Sequence, residues 1–156
     1  MVKIAMTPQQ TKLVQTSFAS VRSIADTAAA LFYGRLFELN PSLRPLFHGN
    51  IRIQGRKLMA MLEYIVAGLH RPETIMPAVQ ELGRRHADYG VQEAHYATVG
   101  TALLWALRQG LGPQCTPTVE AAWAATYTLL ADTMQAAAAE NAYGAEAMQT
   151  ATSAEG

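Results

Sequence analysis

The sequence has almost no cysteine: Cys115 is the one cysteine among its 156 residues. A single cysteine cannot close an intramolecular disulfide, and it excludes the paired-cysteine motifs that hold zinc or attach a cofactor covalently. Disulfides persist in oxidising compartments, whereas thiols stay reduced in the cytoplasm. We therefore expect a protein of the reducing cytoplasm.

An excess of charge of either sign is also missing. Lysine and arginine together number 12, and so do aspartate and glutamate, which gives a formal net charge of zero. No basic block and no interleaving of basic and aromatic residues occurs, which argues against nucleic acid as a partner. No run approaches the roughly 18–20 apolar residues of a membrane span. Residues 1–6 are too short, and the following residues too polar, for a signal peptide.

Strand-type alternation, internal repeats and low-complexity linkers are absent as well. Half of the residues are hydrophobic, which suits one domain with a sizeable core. Apolar residues recur at helical spacing along the chain, so the sequence predicts an all-α fold of six to seven helices. We expect the domain to occupy residues 1–142. Residues 143–156, rich in alanine, glutamate, threonine and serine, are expected to form a disordered tail.

Proline and glycine indicate where the helices begin and end. Residues 7–10 read Thr-Pro-Gln-Gln, which is a capping box with proline at the first helical position. Residues 41–47, which contain two prolines, have room for one or two turns. Pro72 is expected to stop a long helix and to open a linker through Pro77. The next helix is expected to end at Gly90, which is a suitable C-cap.

One stretch, residues 82–90, combines an apolar helical face with a histidine. Val79, Leu82, His86 and Tyr89 fall at helical spacing and therefore share a face. A buried imidazole needs a partner for each ring nitrogen. Because a core histidine bonded to a carbonyl or hydroxyl is the commoner case, His86 taken alone favours an ordinary core position.

Tyr33 and Gln54 interrupt the apolar stripes of two other helices in the same way. Burying such a group without a partner costs about 1–3 kcal/mol, so three cases suggest a shared polar pocket or a ligand. The alternative is a small internal hydrogen-bond network with water. His86 has no second histidine or carboxylate three or four residues away, which makes a poor zinc site. It is a reasonable single axial ligand for haem iron.

Tyr33, Phe47, Gln54 and His86, in this order and at these separations, resemble the haem pocket of a globin. Over about residues 7–137 the chain is similar to the single-domain bacterial globins, the neuroglobin-like members above all. It is more distantly similar to the Vitreoscilla type and to the globin domains of flavohaemoglobins. The resemblance implies a globin fold, a three-over-three helical sandwich around one haem b. The segments that carry it are Leu31-Phe32-Tyr33, Pro45-Leu46-Phe47, residues 54–59, residues 82–90 and Ala94-His95-Tyr96.

The resemblance also implies roles for individual residues. His86 is the proximal ligand, which binds iron through one ring nitrogen while the other nitrogen donates a hydrogen bond. Phe47 packs against the macrocycle, Leu58 closes the ligand side and Val91 closes the proximal edge. Two basic residues are either partners of the haem propionates or solvated surface charges: Lys57 and Arg85.

Tyr33 and Gln54 are the implied gas-binding pair. O₂ in such a pocket acquires partial superoxide character, and a phenol O–H or an amide N–H that donates to it contributes about 1–3 kcal/mol. CO carries little charge and gains much less. The implied function is reversible binding of O₂ and of other diatomic gases, NO and CO. We expect oxygen to be held tightly and released slowly, without a bis-histidyl form.

The resemblance implies an enzyme as the alternative, a nitric oxide dioxygenase. In flavohaemoglobins a histidine–tyrosine–glutamate relay raises the electron density at the iron, and His86 and Tyr96 match two of its members. The glutamate position falls at Ala138, and Glu140 lies two residues away, so the relay is incomplete. A flavin and nicotinamide reductase domain has no room in the chain, so turnover would need a separate reductase. A haem sensor, a peroxidase and a haem-free structural protein fit less well.

The remaining candidates have simpler interpretations. Cys115 precedes a helix cap and is expected to be inert or mildly exposed. His95 and His48 are expected at the surface, although His48 follows Phe47 and is close enough in sequence to edge the pocket. Trp105 and Trp123 are expected in the core or at an interface rather than on a cofactor.

Overall fold

A computed structural model describes the backbone of residues 6–47 and 49–155 and the side chains as far as residue 140. In that part of the chain every regular element is a helix, which confirms the all-α prediction. No helix among the described residues is long and apolar enough to cross a membrane. The elements are α1 (Pro8–Arg22), α2 (Ala25–Leu39), a 3-10 helix (Pro41–Leu46), α3 (Ile51–Ala67), α4 (Pro72–Asp88), α5 (Glu93–Leu111), a second 3-10 helix (Gly112–Gln114) and α6 (Pro117–Glu155).

Local capping chemistry fixes several helix ends as the sequence predicts. The Thr7 hydroxyl accepts a hydrogen bond from the Gln10 backbone N–H, and the Gln10 side chain accepts one from the Thr7 N–H, each at 3.1 Å. At the end of α4, Gly90 has φ +92°, a conformation that glycine adopts without strain. The Gly90 and Val91 N–H groups donate back to the Ala87 and His86 carbonyls, which forms a Schellman cap.

The start of α4 differs from the prediction. α3 ends at Ala67, and α4 already begins at Pro72, so the expected linker from Pro72 to Pro77 is wrong. Pro72 occupies the first helical position, where its missing N–H is no loss. Pro77 lies inside α4 and removes one backbone hydrogen bond, but the φ angle of proline is compatible with a helix.

The last helix also extends further than the sequence suggests. α6 runs to Glu155, whereas its end was expected near residue 142. Residues 136–139 are four alanines, and alanine has the highest helix propensity, which favours continuation of the helix. The division into a domain of residues 1–142 and a tail of residues 143–156 stays a prediction.

The helices form two layers: α2, α5 and α6 pack beside one another in one, and α1 packs beside α3 in the other. Between the layers, α2 packs on α3 and α1 on α6, and α4 packs on α6 as well. Trp123 of α6 is 1% exposed and lies against Phe18 of α1, with ring centroids 6.1 Å apart. Its indole N–H donates to the Ser17 hydroxyl at 2.9 Å, so the polar group of the buried ring has a hydrogen-bond partner. The core position expected for Trp123 is therefore confirmed.

α4 and α6 approach each other closely at Gly83. A Cβ atom built on Gly83 would lie 2.3 Å from the Met134 carbonyl oxygen, a backbone atom that cannot move aside easily. Glycine thus allows the two helix backbones to approach one turn before His86. This contact fixes the position of α4 relative to α6, and with it the position of His86.

We expect Gly83→Ala to lower the free energy of unfolding by about 1–3 kcal/mol, because the new methyl group must push α6 away. Urea denaturation of the two proteins measures the difference. Gly34→Ala is the matched control, since Gly34 is exposed on α2 with nothing within 4 Å of its Cβ position. That change should stabilise by roughly 0.5–1 kcal/mol. Equal effects of the two substitutions would contradict the close crossing.

Candidate functional site

Tyr33 lies in a cluster of aromatic rings that joins α2 to the end of the first 3-10 helix. It is 6% exposed, and its ring centroid is 4.9 Å from that of Phe32 and 5.3 Å from that of Phe47, both edge to face. Phe37, one turn along α2, stacks on Tyr33 at 6.0 Å and meets Phe47 at 5.5 Å. Tyr33 and Phe47, predicted from the sequence as site residues, are thus in direct contact. Their ring orientations are fixed by Phe37, which the sequence analysis did not single out.

The Tyr33 hydroxyl reaches α3. It donates to the backbone carbonyl oxygen of Gln54 at 3.5 Å, the outer limit of a hydrogen bond. Gln54 is half-buried on the first turn of α3. The two predicted donors therefore lie next to each other, and the long contact leaves the phenol free to turn toward a better acceptor at little cost. Burial raises the pKa of Tyr33 to about 12, so the group is a hydrogen-bond donor at any ordinary pH.

His86 is half-buried near the end of α4. Its Nδ1 lies 2.8 Å from the Leu82 carbonyl oxygen, one turn earlier in the same helix. Because a carbonyl only accepts, Nδ1 carries the proton and the lone pair is on Nε2. Burial lowers the pKa of His86 below its ordinary value, against the opposing effect of the Leu82 hydrogen bond. The imidazole is therefore neutral at pH 7, which is the form that binds a metal ion.

The end of α4 returns to the aromatic cluster. A Cβ atom on Gly90 would lie 3.7 Å from a methyl carbon of Leu46, which directly precedes Phe47. Val91 is half-buried, and its N–H donates to the His86 carbonyl at 2.9 Å. The Schellman cap of α4 thus brings the histidine-bearing helix next to the segment that carries Phe47.

Tyr96 of α5, which is buried, and Tyr127 of α6, which is half-buried, form a second pair. The Tyr127 hydroxyl donates to the Tyr96 backbone carbonyl at 2.7 Å, and burial raises the pKa of both tyrosines. The Tyr127 ring fills the space over Gly100, where a Cβ would be 2.7 Å from it. The sequence analysis named Tyr96 but not Tyr127. A polar hydroxyl in an apolar stripe, the rule that identified Tyr33, also identifies Tyr127.

The other predicted residues lie further from these contacts. Lys57 and Arg85 are both exposed, and Arg85 pairs with Glu81 at 3.5 Å. Tyr89 is 66% exposed in the cap of α4, so the expectation that it shares the buried face of His86 is wrong. The Tyr89 N–H still donates to the Arg85 carbonyl in helical register, so its exposure reflects its place at the very end of α4. Cys115 and Trp105 are both half-buried. His95, which was expected at the surface, is half-buried and forms a capping box with Gln92. His48 lies outside the described residues.

The donor set around His86 fits a haem group better than a bare metal ion. Among the side chains that the structure describes, no group of three or more histidine, cysteine, aspartate or glutamate residues is placed to hold a metal. One neutral imidazole with its Nδ1 proton bonded is the usual protein contribution to haem iron. Half-buried apolar side chains from four elements suit a flat apolar macrocycle: Phe47, Leu58, Leu82 and Val91.

Comparisons with known proteins agree with this geometry. The sequence profile of the globin family matches residues 30–134. A flavohemoprotein from Bordetella parapertussis is 31% identical over 130 residues, which cover 81% of this chain and 32% of that protein. A flavohemoprotein from Chromobacterium violaceum is 31% identical over 133 residues, 83% of this chain and 33% of its own length. The chain thus spans about a third of the length of these relatives.

A solved structure is similar over almost its whole length. It is an engineered carbene transferase, described as derived from a nitric oxide dioxygenase of Rhodothermus marinus. The TM-score is 0.82 at 29% identity, covering 92% of this chain and 99% of the other. The fold expected from the sequence is thereby confirmed. The profile match covers more than half of the chain, and the chain therefore belongs to the globin family.

Proposed function

We propose that this globin is a haem-based protein that binds O₂ and other diatomic gases reversibly. The observation that carries the proposal is the buried Tyr33 hydroxyl, a donor that, among the residues the structure describes, meets one acceptor, a backbone carbonyl at 3.5 Å. Within the family we propose the single-domain, neuroglobin-like group to which Hell's Gate globin belongs. The ordered set of Tyr33, Phe47, Gln54 and His86 supports this placement.

Haem b, when bound, supplies an iron centre that takes up small gases. His86 Nε2 would be its protein ligand, because the Leu82 carbonyl fixes the Nδ1 proton and orients the ring. Phe47, Leu58 and Val91 would contact the macrocycle and exclude water from it. Lys57 and Arg85 stay candidates for the propionates, since both are exposed and long side chains keep the freedom to reach a nearby anion.

Tyr33 and Gln54 would select the gas. A phenol O–H and an amide N–H donate to O₂, which becomes partly negative in such a site, whereas CO offers them little charge. Excluding water strengthens each bond, because no solvent competes for the donor. Tyr96, which is buried and whose carbonyl accepts from Tyr127, would support the histidine side.

Gas binding is tested by mixing the reduced protein with O₂ and following the visible spectrum. We expect a stable oxygenated form that reverts when O₂ is removed, with an O₂ dissociation rate constant well below that of the Gln54→Leu variant. A protein that is oxidised at once without a reversible stage would contradict the proposal.

The O₂ dissociation rate constant should not change between about pH 8 and about pH 10.5, past the ordinary tyrosine pKa. The pKa of Tyr33 is raised to about 12, so the group keeps its proton as the pH rises and loses it only near that value. Stopped-flow measurement of the O₂ dissociation rate constant across this pH range checks the prediction. An increase in the rate centred near pH 10 would show that Tyr33 titrates like an exposed phenol.

A nitric oxide dioxygenase is the second candidate, supported by the flavohemoprotein relatives and the Rhodothermus marinus structure. The overall reaction combines NO, O₂ and one electron to give nitrate. We propose that a partner reductase supplies the electron. His86 and Tyr96 match two members of the relay that the flavohaemoglobins use, but Ala138, half-buried on α6, stands where the third would be a glutamate.

We expect the oxygenated protein to consume one NO per chain rapidly and then to turn over slowly when a flavin reductase and NADH are added. Ala138→Glu should raise the turnover number several-fold, because a carboxylate would complete the relay. Ala139→Glu is the matched control, since Ala139 is exposed. Fast turnover by the unmodified protein, with no gain from Ala138→Glu, would favour the enzyme over the gas-binding role and would contradict the need for this relay.

A further inference from the structure

A small apolar cavity adjoins residues of the proposed gas site. It has a volume of about 20 Å³, and Leu58 of α3 and Phe32 of α2 line one side of it. Phe32 packs on Tyr33, and Leu58 lies one turn after Gln54 on α3. The opposite side is formed by α5, chiefly by Leu103 and Ala106. A space of this size holds about one small molecule, and apolar walls favour a gas over water.

A separate groove opens on the surface between α1, α2 and α3. It has a volume of about 240 Å³, with Phe18 at its base. Its rim carries two positive and two negative side chains: Arg22, Arg56, Asp26 and Glu63. Arg22 and Glu63 form a 3.0 Å ion pair across the mouth, and both are about half exposed. A rim with balanced charge gives no attraction to anions or cations, and an exposed ion pair contributes little energy and separates readily.

Met59 is the side chain that lines both spaces. It is half-buried on α3, next in sequence to Leu58. Methionine has three rotatable side-chain bonds and no branch, so its end moves between rotamers more easily than that of other apolar residues. Met59 therefore borders both spaces, and a change of its rotamer alters the wall of each.

We propose that this series of spaces is an access route for small neutral gases, from the α1–α2–α3 groove past Met59 into the apolar cavity and past Leu58 to the gas site. The proposal rests on the proposed function, because it assigns the route by which that site fills. The ligand class is limited to diatomic gases and similar apolar molecules. The cavity is too small for anything larger, and its lining offers almost no polar surface.

Substitution of Met59 tests the gating step in the haem-loaded protein. Met59→Trp should fill the connection and lower the association rate constants of CO and O₂ several-fold, whereas Met59→Ala should raise them. Flash photolysis of the CO form measures both. Met76 on α4 is the matched control, because it is also a half-buried methionine but lines neither space. Unchanged rates in both Met59 variants, or equal changes in the Met76 variants, would overturn the proposal.

Xenon gives a readout that does not depend on gas chemistry at the haem. Under xenon pressure, the methyl NMR signals of Met59, Leu58 and Leu103 should shift, and Ala106→Val, which fills the cavity, should abolish the shifts. Shifts confined to other methyl groups would overturn the route even if Met59→Trp fails to fold. A protein with normal O₂ binding but no xenon effect at these residues refutes the route alone. A protein that shows the xenon shifts but forms no oxygenated state refutes the proposed function instead.

Discussion

Tyr33→Phe is expected to raise the O₂ dissociation rate constant by roughly 5- to 150-fold, which corresponds to the loss of about 1–3 kcal/mol of hydrogen bonding in a dry pocket. Phenylalanine retains the ring contacts with Phe32, Phe37 and Phe47, so the change removes the donor and little else. Stopped-flow displacement of O₂ by CO measures the rate. The CO dissociation rate constant should change much less, because CO accepts hydrogen bonds weakly.

Tyr64→Phe is the matched control for this experiment. Tyr64 is 48% exposed on the same helix as Gln54, and its hydroxyl donates to the Thr74 carbonyl, away from the proposed site. Loss of this hydroxyl should leave the dissociation rate constants of both O₂ and CO unchanged. If Tyr33→Phe and Tyr64→Phe have the same O₂ dissociation rate, Tyr33 is not a donor to the gas.

His86→Gly is expected to remove the protein ligand of the haem and to lower haem affinity by more than about 100-fold. Loss of a supporting residue around a metal ligand already costs 10- to 100-fold, and loss of the ligand itself costs at least as much. Added imidazole should restore haem binding, because it fits the space that the side chain leaves. The haem content after purification and the titration with imidazole are both read from visible absorption.

His70→Gly is the control for nonspecific effects of losing a histidine. His70 is exposed in the turn after α3, within 3.3 Å of the Gln15 side chain. Its removal should leave haem content unchanged. Full haem content in the His86→Gly protein without imidazole would show that another residue holds the iron.

The sequence predicts those parts of the fold that depend on local chemistry. The Thr7 capping box and the Gly90 cap follow from residue types within a few positions, and both are found. The beginning of α4 was not predicted, because proline at 72 and 77 is as compatible with a helix start as with a linker, and tertiary packing on α6 decides between them. The extent of α6 was missed because composition suggested disorder where helix propensity is high.

In the site, too, local features could be predicted from the sequence, whereas contacts between distant residues could not. A polar residue in an apolar helical stripe identified Tyr33, and the structure places it against Phe47 and within reach of α3. The Leu82 carbonyl that holds the His86 ring was not named, although a histidine one turn after a carbonyl on a helix makes it an available partner. The contact between Tyr127 and Tyr96 joins residues 31 positions apart, and no local pattern specifies which distant group a hydroxyl meets.

The central claim is that this chain holds one haem through His86. Titration of the haem-free protein with haem b, followed by visible absorption, tests it most directly. The account predicts a Soret band that grows linearly and stops growing sharply at one haem per chain. The His86→Gly protein should show this band only when imidazole is added. A spectrum that matches free haem at every ratio, or a sharp end point retained by His86→Gly without imidazole, would contradict it.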